Sequence, residues 1–314
     1  MADRSEAGRA IAGRLGVVLE SDVVHSFRRS AVTVAATILF FVILCAAACA
    51  PWIVPQDPFD LSQLNLLDSH APPAWMQGGD SRFLLGTDDQ GRDVLSSILY
   101  GSRISLAVGI LSVALAAALG VVLGLIAGYA GGAIDSAIMR IADVQLTFPA
   151  ILLALLIDGT VRAIVGDQRS GQQIFWVLVL SIGLSFWVQY ARTVRSSTLV
   201  EKNKDYVLAA RVIGISPAFI LFRHILPNVM GPVLVIATIN LAFAIVLEAT
   251  LSFLGVGLPP TQPSLGTLIR IGNNFLFSGE WWITLFPSIV LVALVLAVNV
   301  VGDWLRDALN PKLR

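Results

Sequence analysis

The chain has 314 residues, of which 56% are hydrophobic and only 13% are charged, and its 21 basic and 21 acidic side chains cancel. This charged fraction is about half that of an ordinary soluble domain. A disordered chain needs low hydrophobicity and high net charge, and a nucleic-acid-binding protein needs an excess of basic residues, so both classes are excluded. The composition predicts an all-α polytopic membrane protein.

A polar segment, residues 1–29, precedes the first apolar run at about residues 31–50. That run is long enough to cross a hydrocarbon core of about 30 Å at about 1.5 Å per residue. A cleaved signal peptide is the rival interpretation, but the polar segment before the run is far longer than such a peptide carries. We therefore expect a retained span, in which Cys45 and Cys49 are small packing residues rather than a disulfide.

Five further apolar runs follow. The second run contains Gly120, Gly124 and Gly128 at a spacing of four, which predicts the close approach of another helix. Pro149 lies in the middle of the third run and predicts a kink there. A transmembrane domain is thus expected over residues 30–314. Its six predicted spans are about residues 31–50, 104–129, 134–157, 174–190, 225–254 and 283–301.

The distribution of basic residues predicts the orientation of these spans. With the N-terminus inside, the inner segments hold 14 Lys and Arg residues and the outer segments hold 6. The positive-inside rule therefore places both termini in the cytoplasm. Trp52, Trp281 and Trp282 then lie at outer interfaces, where aromatic belts are found. This topology leaves an outer loop of residues 52–103 and an inner loop of residues 191–224.

Charged residues within the predicted spans are candidates for a pathway or a gate. Arg140 and Asp143 share a helix face and are expected to pair, because a lone charge in the bilayer costs about 2.5–3.5 kcal/mol. That pair is either functional or a structural pair that fixes helix packing. Glu248 either lines an outer vestibule or reaches the interface by snorkelling. The candidate pathway or gate residues are Arg140, Asp143, Pro149 and Glu248.

A motif of turn formers and charges ends the outer loop. Asp93 suits the N-cap of the helix that follows. The rest of the motif, with the acidic stretch before it, either supports that helix or contacts an extracytoplasmic partner. The candidate contact residues are Thr87, Asp88, Asp89, Gly91, Arg92 and Asp93.

The inner loop predicts two short helices joined at a glycine. Residues 205–213 are good helix formers, and Gly214 permits the left-handed conformation that ends a helix. Ser216 suits an N-cap and Pro217 the first helical position, so a second helix begins at once. The resulting helix–Gly–helix elbow either docks another protein or lies on the lipid surface.

The sequence lacks the motifs of a nucleotide or hydrolytic site. It has no phosphate-binding loop, since lysine occurs only at positions 202, 204 and 312, and it has no Gly-x-Ser-x-Gly elbow and no His-Glu-x-x-His. Its three histidines are scattered, so no metal site and no resident cofactor are predicted. Active transport would draw energy from a partner or from an ion gradient.

The inner loop resembles the EAA loop of bacterial ABC importer permeases. That loop reads Glu-Ala-Ala, three residues, Gly, nine residues, Ile, one residue, Leu-Pro. Leu208 replaces the Glu of the motif and His224 replaces its Ile. The matching residues are Ala209, Ala210, Gly214, Leu226 and Pro227.

Separate motifs resemble the dipeptide/oligopeptide/nickel group of these permeases, and specifically its second permease subunit. They include Gly86-Thr-Asp-Asp-Gln-Gly-Arg-Asp93, Leu251-Ser-Phe-Leu-Gly255 and Gly302-Asp-Trp-Leu-Arg-Asp-Ala-Leu309. The likeness covers about residues 30–314.

The resemblance implies a type I ABC importer permease fold in the bacterial cytoplasmic membrane. A homologous permease subunit would pair with this chain, two ATPase subunits would carry ATP and Mg, and an extracytoplasmic binding protein would deliver di- or oligopeptides. The alternatives are an ion-coupled secondary transporter, a structural or receptor subunit, and an ABC permease for nickel chelates or glutathione. The implied ATPase-coupling residues are Asp205, Tyr206, Ala209, Ala210, Arg211, Gly214, Ser216, Pro217, Leu226 and Pro227.

Overall fold

The computed structural model describes residues 27–28, 30–166 and 169–309, so most of the segment 1–29 lies outside the described residues. Apart from short helical turns and one isolated bridge between Thr87 and Asp93, the regular structure in this part of the chain is α-helical, which confirms the predicted class. The helices are α1 (Ala31–Ala48), α2 (Val94–Ala130), α3 (Gly132–Leu146), α4 (Ala150–Val165), α5 (Gly171–Glu201), α6 (Asp205–Val212), α7 (Pro217–Phe253), α8 (Leu265–Asn273) and α9 (Trp282–Leu309).

Within the described residues, five helices are long and apolar enough to cross a membrane, namely α1, α2, α5, α7 and α9. The pair α3 and α4 makes a sixth candidate, bent by 95° at the short break between them. Pro149 is the N-cap of α4 and has no N–H to continue α3, so the predicted kink is confirmed. The span predicted over about residues 134–157 thus consists of two helices with a sharp break at Pro149.

The helices extend further than hydropathy predicted. α2 begins at Val94 rather than near residue 104, and α5 continues to Glu201, about eleven residues past the predicted end of its apolar run. Ser96, Ser102 and Ser105 in the early part of α2 are buried, so this polar stretch packs inside the protein although it reads as a loop. The outer loop therefore ends at residue 93, and much of the inner loop is helical.

The glycine spacing in α2 allows another helix to pack closely against it. α2 lies along α5, and a Cβ atom built on Gly124 would be 2.6 Å from the carbonyl oxygen of Ala191. A Cβ atom on Gly128 would be 2.7 Å from the Cβ of Thr198. The predicted close approach of a second helix is therefore confirmed.

The described helices pack around three hydrophobic clusters. One lies between α2, α5 and α7, another between α1, α2, α7, α8 and α9, and a smaller one between α3 and α5. Cys45 and Cys49 are free thiols, and Cys45 is exposed on α1, so its predicted packing role is wrong. Trp282 is also buried rather than placed in an aromatic belt, and its Nε1–H donates to the carbonyl of Thr87 at 3.1 Å.

Candidate functional site

The inner elbow has the predicted glycine-terminated helix. Gly214 has a φ of 82°, and its N–H donates to the carbonyl of Arg211 at 3.0 Å. The N–H of Ile215 donates to the carbonyl of Ala210 at 3.0 Å. These two bonds form a Schellman motif, which satisfies the last carbonyls of α6 and fixes the direction in which the chain leaves it.

The second arm of the elbow is the start of α7. Ser216 is extended and Pro217 occupies the first helical position as predicted, although the Ser216 side chain makes no capping hydrogen bond in the described chain. Ile220–Ile225 then forms a π-helical segment. Leu226 and Pro227 begin the regular α-helical part of α7, where the missing N–H of Pro227 is tolerated in the first turn.

A hydrogen-bonded network joins the end of α5 to both arms of the elbow. The Tyr206 hydroxyl donates to Oε1 of Glu201 at 2.5 Å and accepts from Nδ2 of Asn228 at 3.0 Å. The same Asn228 amide donates to the carbonyl of His224 at 2.8 Å, and Lys204 pairs with Glu201 at 2.8 Å. Burial, and then the bond to Glu201, raise the pKa of Tyr206. One side chain thus ties together three helices.

Sequence reasoning placed Tyr206 in the elbow but missed Glu201 and Asn228. Both lie just outside the motif, and only the folded chain brings them to the same hydroxyl. The only signal in the sequence was that an acidic and an amide side chain lie near the two ends of the elbow.

The two alanines of the elbow face different ways. Ala210 is 5% exposed and packs inside, whereas Ala209 is exposed. The expectation that both offer a small surface to a partner is therefore wrong for Ala210. The large apolar side chains at the elbow's tip are far more exposed, at 88% for Val212 and 77% for Ile213.

The charged members of the elbow occupy its flanks. Asp205 is in the first turn of α6, where a negative charge interacts favourably with the helix dipole. The guanidinium of Arg211 lies 4.7 Å from the centre of the Tyr129 ring, at the inner end of α2. The elbow therefore also contacts the inner end of α2.

The expected pair of Arg140 and Asp143 does not form. Asp143 instead pairs with Arg192 of α5 at 2.5 Å, and Asp135 pairs with Arg195 one turn further along α5. α3 lies beside α5, so the α5 arginines reach these carboxylates. Arg140 is exposed and has no hydrogen-bond or ion-pair partner among the described residues.

Glu248 is fully buried, so snorkelling to the interface is wrong, and its side chain does not line a vestibule in this conformation. Its carboxylate accepts from the hydroxyls of Ser105 and Ser252, each at 2.7 Å. Ser105 also accepts from the backbone N–H of Leu265 at 3.2 Å. Glu248 therefore joins α2, α7 and the start of α8.

The outer motif is mostly internal. Asp93 accepts from the N–H of Ser96 at 2.8 Å, which confirms the predicted N-cap, and burial raises its pKa. Arg92 and Asp88 form a buried ion pair at 2.6 Å, and Arg92 Nη1 also donates to the carbonyl of Pro260. Thr87 is buried as well.

These burials limit what the motif can offer to a partner. Thr87, Asp88, Arg92 and Asp93 stabilise the loop and are inaccessible in this conformation. Gly91 is buried with a φ of 73°, against the backbone of the preceding loop. Asp89 is only half-buried, and burial, followed by the charge of Asp88, raises its pKa.

Comparison with known proteins identifies the family. The model of the family described as "Binding-protein-dependent transport system inner membrane component" matches residues 120–314. The dipeptide transport system permease protein DppC of Escherichia coli K12 is 41% identical over 290 residues, which cover 92% of each chain. DppC of Haemophilus influenzae is 38% identical over 278 residues, covering 88% of this chain and 90% of that one.

Solved structures show the same fold. An inward-facing structure of the MetNI methionine ABC transporter aligns with a TM-score of 0.51 at 20% identity, covering 66% of this chain and 93% of the other. With the candidate spans, this identifies a multi-pass membrane protein of the type I importer fold. The chain therefore belongs to the family of inner membrane components of binding-protein-dependent transport systems, the permease subunits of ABC importers.

Proposed function

We propose that this chain is a permease subunit of an importer for di- and oligopeptides. Several relatives that match about nine tenths of the chain are named as dipeptide or di/tripeptide permeases. Nickel chelates and glutathione are the competing substrates within the wider group. An ion-coupled carrier is disfavoured by the family match and by the elbow, which such a carrier does not need.

The importer has the following composition in this proposal. A homologous permease subunit pairs with this chain in the bacterial cytoplasmic membrane and completes the pathway. Two ATPase subunits bind ATP and Mg at the inner face, and an extracytoplasmic binding protein delivers substrate. Closure of the ATPases favours one of two permease conformations, because the closed ATPases bind that conformation better.

The elbow is the feature that supports a role in coupling to the ATPases. Val212 and Ile213 present large, highly exposed apolar side chains at the tip of a motif that lies in a basic inner segment. Isolated exposed apolar residues are ordinary, but an apolar tip on a firmly held turn is typical of a docking surface. The Schellman motif and the Tyr206 network hold that turn, so force applied at the tip reaches α5 and α7.

The other candidate residues take narrower roles. Arg140 and Asp143 belong to the inner half of the pathway, where Arg140 faces the partner permease or the aqueous route. The break at Pro149 lets α4 move relative to α3 as the pathway opens. Glu248 acts on the pathway by fixing the position of α8. In the outer motif, Asp89 remains available to contact an extracytoplasmic partner.

Reconstituted transport tests this proposal. Proteoliposomes containing both permeases and the ATPases, with the binding protein outside, are expected to accumulate L-alanyl-L-alanine only when ATP is inside. The control omits the ATPases and applies proton or sodium gradients. Gradient-driven uptake without ATPases would overturn the importer, and ATP-driven uptake of a nickel chelate but of no peptide would overturn the substrate.

A further inference from the structure

A cavity of about 250 Å³ opens on the outer side, between the loop that precedes α2 and the C-terminal end of α8. Asp89 and Gln90 line it from the loop, and Arg270, Asn274 and Phe275 line it from α8 and the residues after it. Two separate parts of the chain therefore contribute opposite charges to one small space.

The cavity's walls are held by the buried part of the outer motif. Arg92 pairs with Asp88 on one side and donates to the carbonyl of Pro260, a wall residue, on the other. This arginine thus fixes the loop carrying Asp89 against the segment before α8. The buried residues of the motif hold the cavity wall in place, and Asp89 is the acidic residue of the motif that lines the cavity.

The two charged groups in the wall have unused hydrogen-bonding capacity. Oδ1 of Asp89 and Nε of Arg270 are both buried, and neither has a hydrogen-bond partner among the described residues. Buried polar atoms are nearly always satisfied, so these two atoms show that the hydrogen bonding around Asp89 and Arg270 is incomplete. The two side chains line one cavity with opposite charges, which suits a ligand that bears both charges.

The dimensions select the size of that ligand. A sphere of the cavity's volume is roughly 8 Å across, which suits a small ligand. Two residues of extended chain span about 7 Å, so the ammonium and carboxylate ends of a free dipeptide are separated by a similar distance. An amide such as that of Gln90 can bond a peptide group, and Phe275 offers apolar contact to a side chain.

We propose that this cavity is a receiving site for free dipeptides, in which Asp89 binds the terminal ammonium and Arg270 binds the terminal carboxylate. The inference deepens the proposed peptide importer and rests on it. Arginine suits the second role because its planar guanidinium binds carboxylates through two parallel hydrogen bonds. Since all dipeptides share these two charges, such a site accepts many side chains.

The rival occupant is a charged side chain of the extracytoplasmic binding protein. One such side chain carries a single charge, so it satisfies either Asp89 or Arg270 and leaves the other unpaired. A zwitterion satisfies both groups at once. The structure therefore favours the peptide.

Protection of an introduced thiol tests the site. The complete complex of both permeases and the ATPases is placed in nanodiscs without binding protein, and this chain carries Cys45→Ala, Cys49→Ala and Asn274→Cys. Asn274 is exposed at the cavity's edge, so a maleimide should label it. L-alanyl-L-alanine is expected to slow the labelling, whereas N-acetyl-L-alanyl-L-alanine amide, which lacks both terminal charges, is not.

Variants assign the two charges. Asp89→Asn and Arg270→Gln are each expected to raise the half-protecting dipeptide concentration about tenfold or more, as expected when one charge-assisted contact is lost. Arg270→Lys keeps the positive charge and should raise the half-protecting concentration less than Arg270→Gln does. This comparison separates the effect of a lost charge from that of a disturbed loop. Asp80→Asn is the matched control, because Asp80 lies on the same loop, pairs with Arg82 and is absent from the cavity wall.

Three results would overturn the site: no protection by the dipeptide, equal protection by the uncharged analogue, or protection by peptide-free binding protein alone. If ATP-driven dipeptide uptake is intact while protection fails, only this inference is lost. If the reconstituted importer moves no peptide, the proposed function itself fails, whatever the thiol shows.

Discussion

Two helix glycines, Gly124 in α2 and Gly159 in α4, allow one substitution to be predicted with opposite signs. In a helix interior, alanine is favoured over glycine by about 0.8–1.0 kcal/mol. Gly159 in α4 has nothing within 4 Å of an added Cβ, so Gly159→Ala should stabilise the protein by about that amount. Gly124 in α2 has the backbone of α5 in the way.

The structure sets the size of the loss at Gly124. An added Cβ would lie 2.6 Å from the carbonyl oxygen of Ala191 and 2.8 Å from the Cβ of Val194. Neither contact can be relieved by turning a flexible side chain, so α2 and α5 must separate. Overpacking of this kind costs about 1–3 kcal/mol, and the propensity gain of about 0.8–1.0 kcal/mol offsets part of it, so the net loss reaches about 2 kcal/mol.

The assay compares the thermal unfolding of both variants and the parent, purified in one detergent and followed by size-exclusion chromatography after heating. Gly124→Ala should unfold at a lower temperature than the parent and Gly159→Ala at an equal or higher one. If Gly124→Ala is as stable as the parent, the close contact between α2 and α5 is refuted. If both variants are equally destabilised, the lower stability comes from replacing a helix glycine and not from the contact between α2 and α5.

The remaining predictions test three smaller contacts. In a double-mutant cycle, Asp143→Ala and Arg192→Ala should couple by at most about 1 kcal/mol, because both side chains are about half-exposed, whereas Arg140→Ala should add independently to Asp143→Ala. Coupling between Arg140 and Asp143 would contradict the observed pairing. Tyr206→Phe removes the hydroxyl shared by α5, α6 and α7, so reconstituted importers should move less dipeptide per ATP hydrolysed; an unchanged ratio would show that the network does not couple. Asp93→Ala should cost about 1 kcal/mol by removing the N-cap of α2, while Asp93→Asn should cost less, and equal losses in thermal unfolding would argue against capping.

Features set by neighbouring residues were predictable from sequence. Gly214 ends α6 because only a residue tolerant of positive φ fits there, and Asp93 caps α2 because its side chain reaches an N–H three residues on. Pro149 interrupts a helix through its own ring. The glycine spacing in α2 likewise indicated a close neighbour, though not which helix it was.

Features set by tertiary packing were not predictable. Asp143 pairs with Arg192 rather than with Arg140 because α3 lies along α5. The spacing of residues within α3 does not show which helix lies beside it. The sequence predicted Glu248 to line a vestibule or reach the interface, yet it is buried and accepts hydrogen bonds from serines of two helices. The start of α2 was missed because hydropathy treats buried serines such as Ser96 as loop residues.

The cavity at Asp89 shows the same limit within one motif. The sequence marked residues 87–93 as a unit, and the structure divides them into buried residues that support the loop and two residues, Asp89 and Gln90, that line the cavity. Arg270, more than 170 residues further along, had no sequence signal that linked it to Asp89. Only the folded chain shows that they share a wall.

The central claim is that the elbow docks the ATPases, and site-directed crosslinking tests it most directly. Membrane vesicles would carry the full importer with Cys45→Ala and Cys49→Ala in this chain and one new cysteine, at Val212 or Ile213. Both variants are expected to crosslink to an ATPase subunit, and Leu67→Cys, equally exposed but on the outer loop, is expected not to. Adding Gly214→Pro should abolish the elbow crosslinks, since proline cannot adopt the positive φ found there. Absence of crosslinks at both tip positions in a transporting importer, or their persistence with Gly214→Pro, would contradict the account.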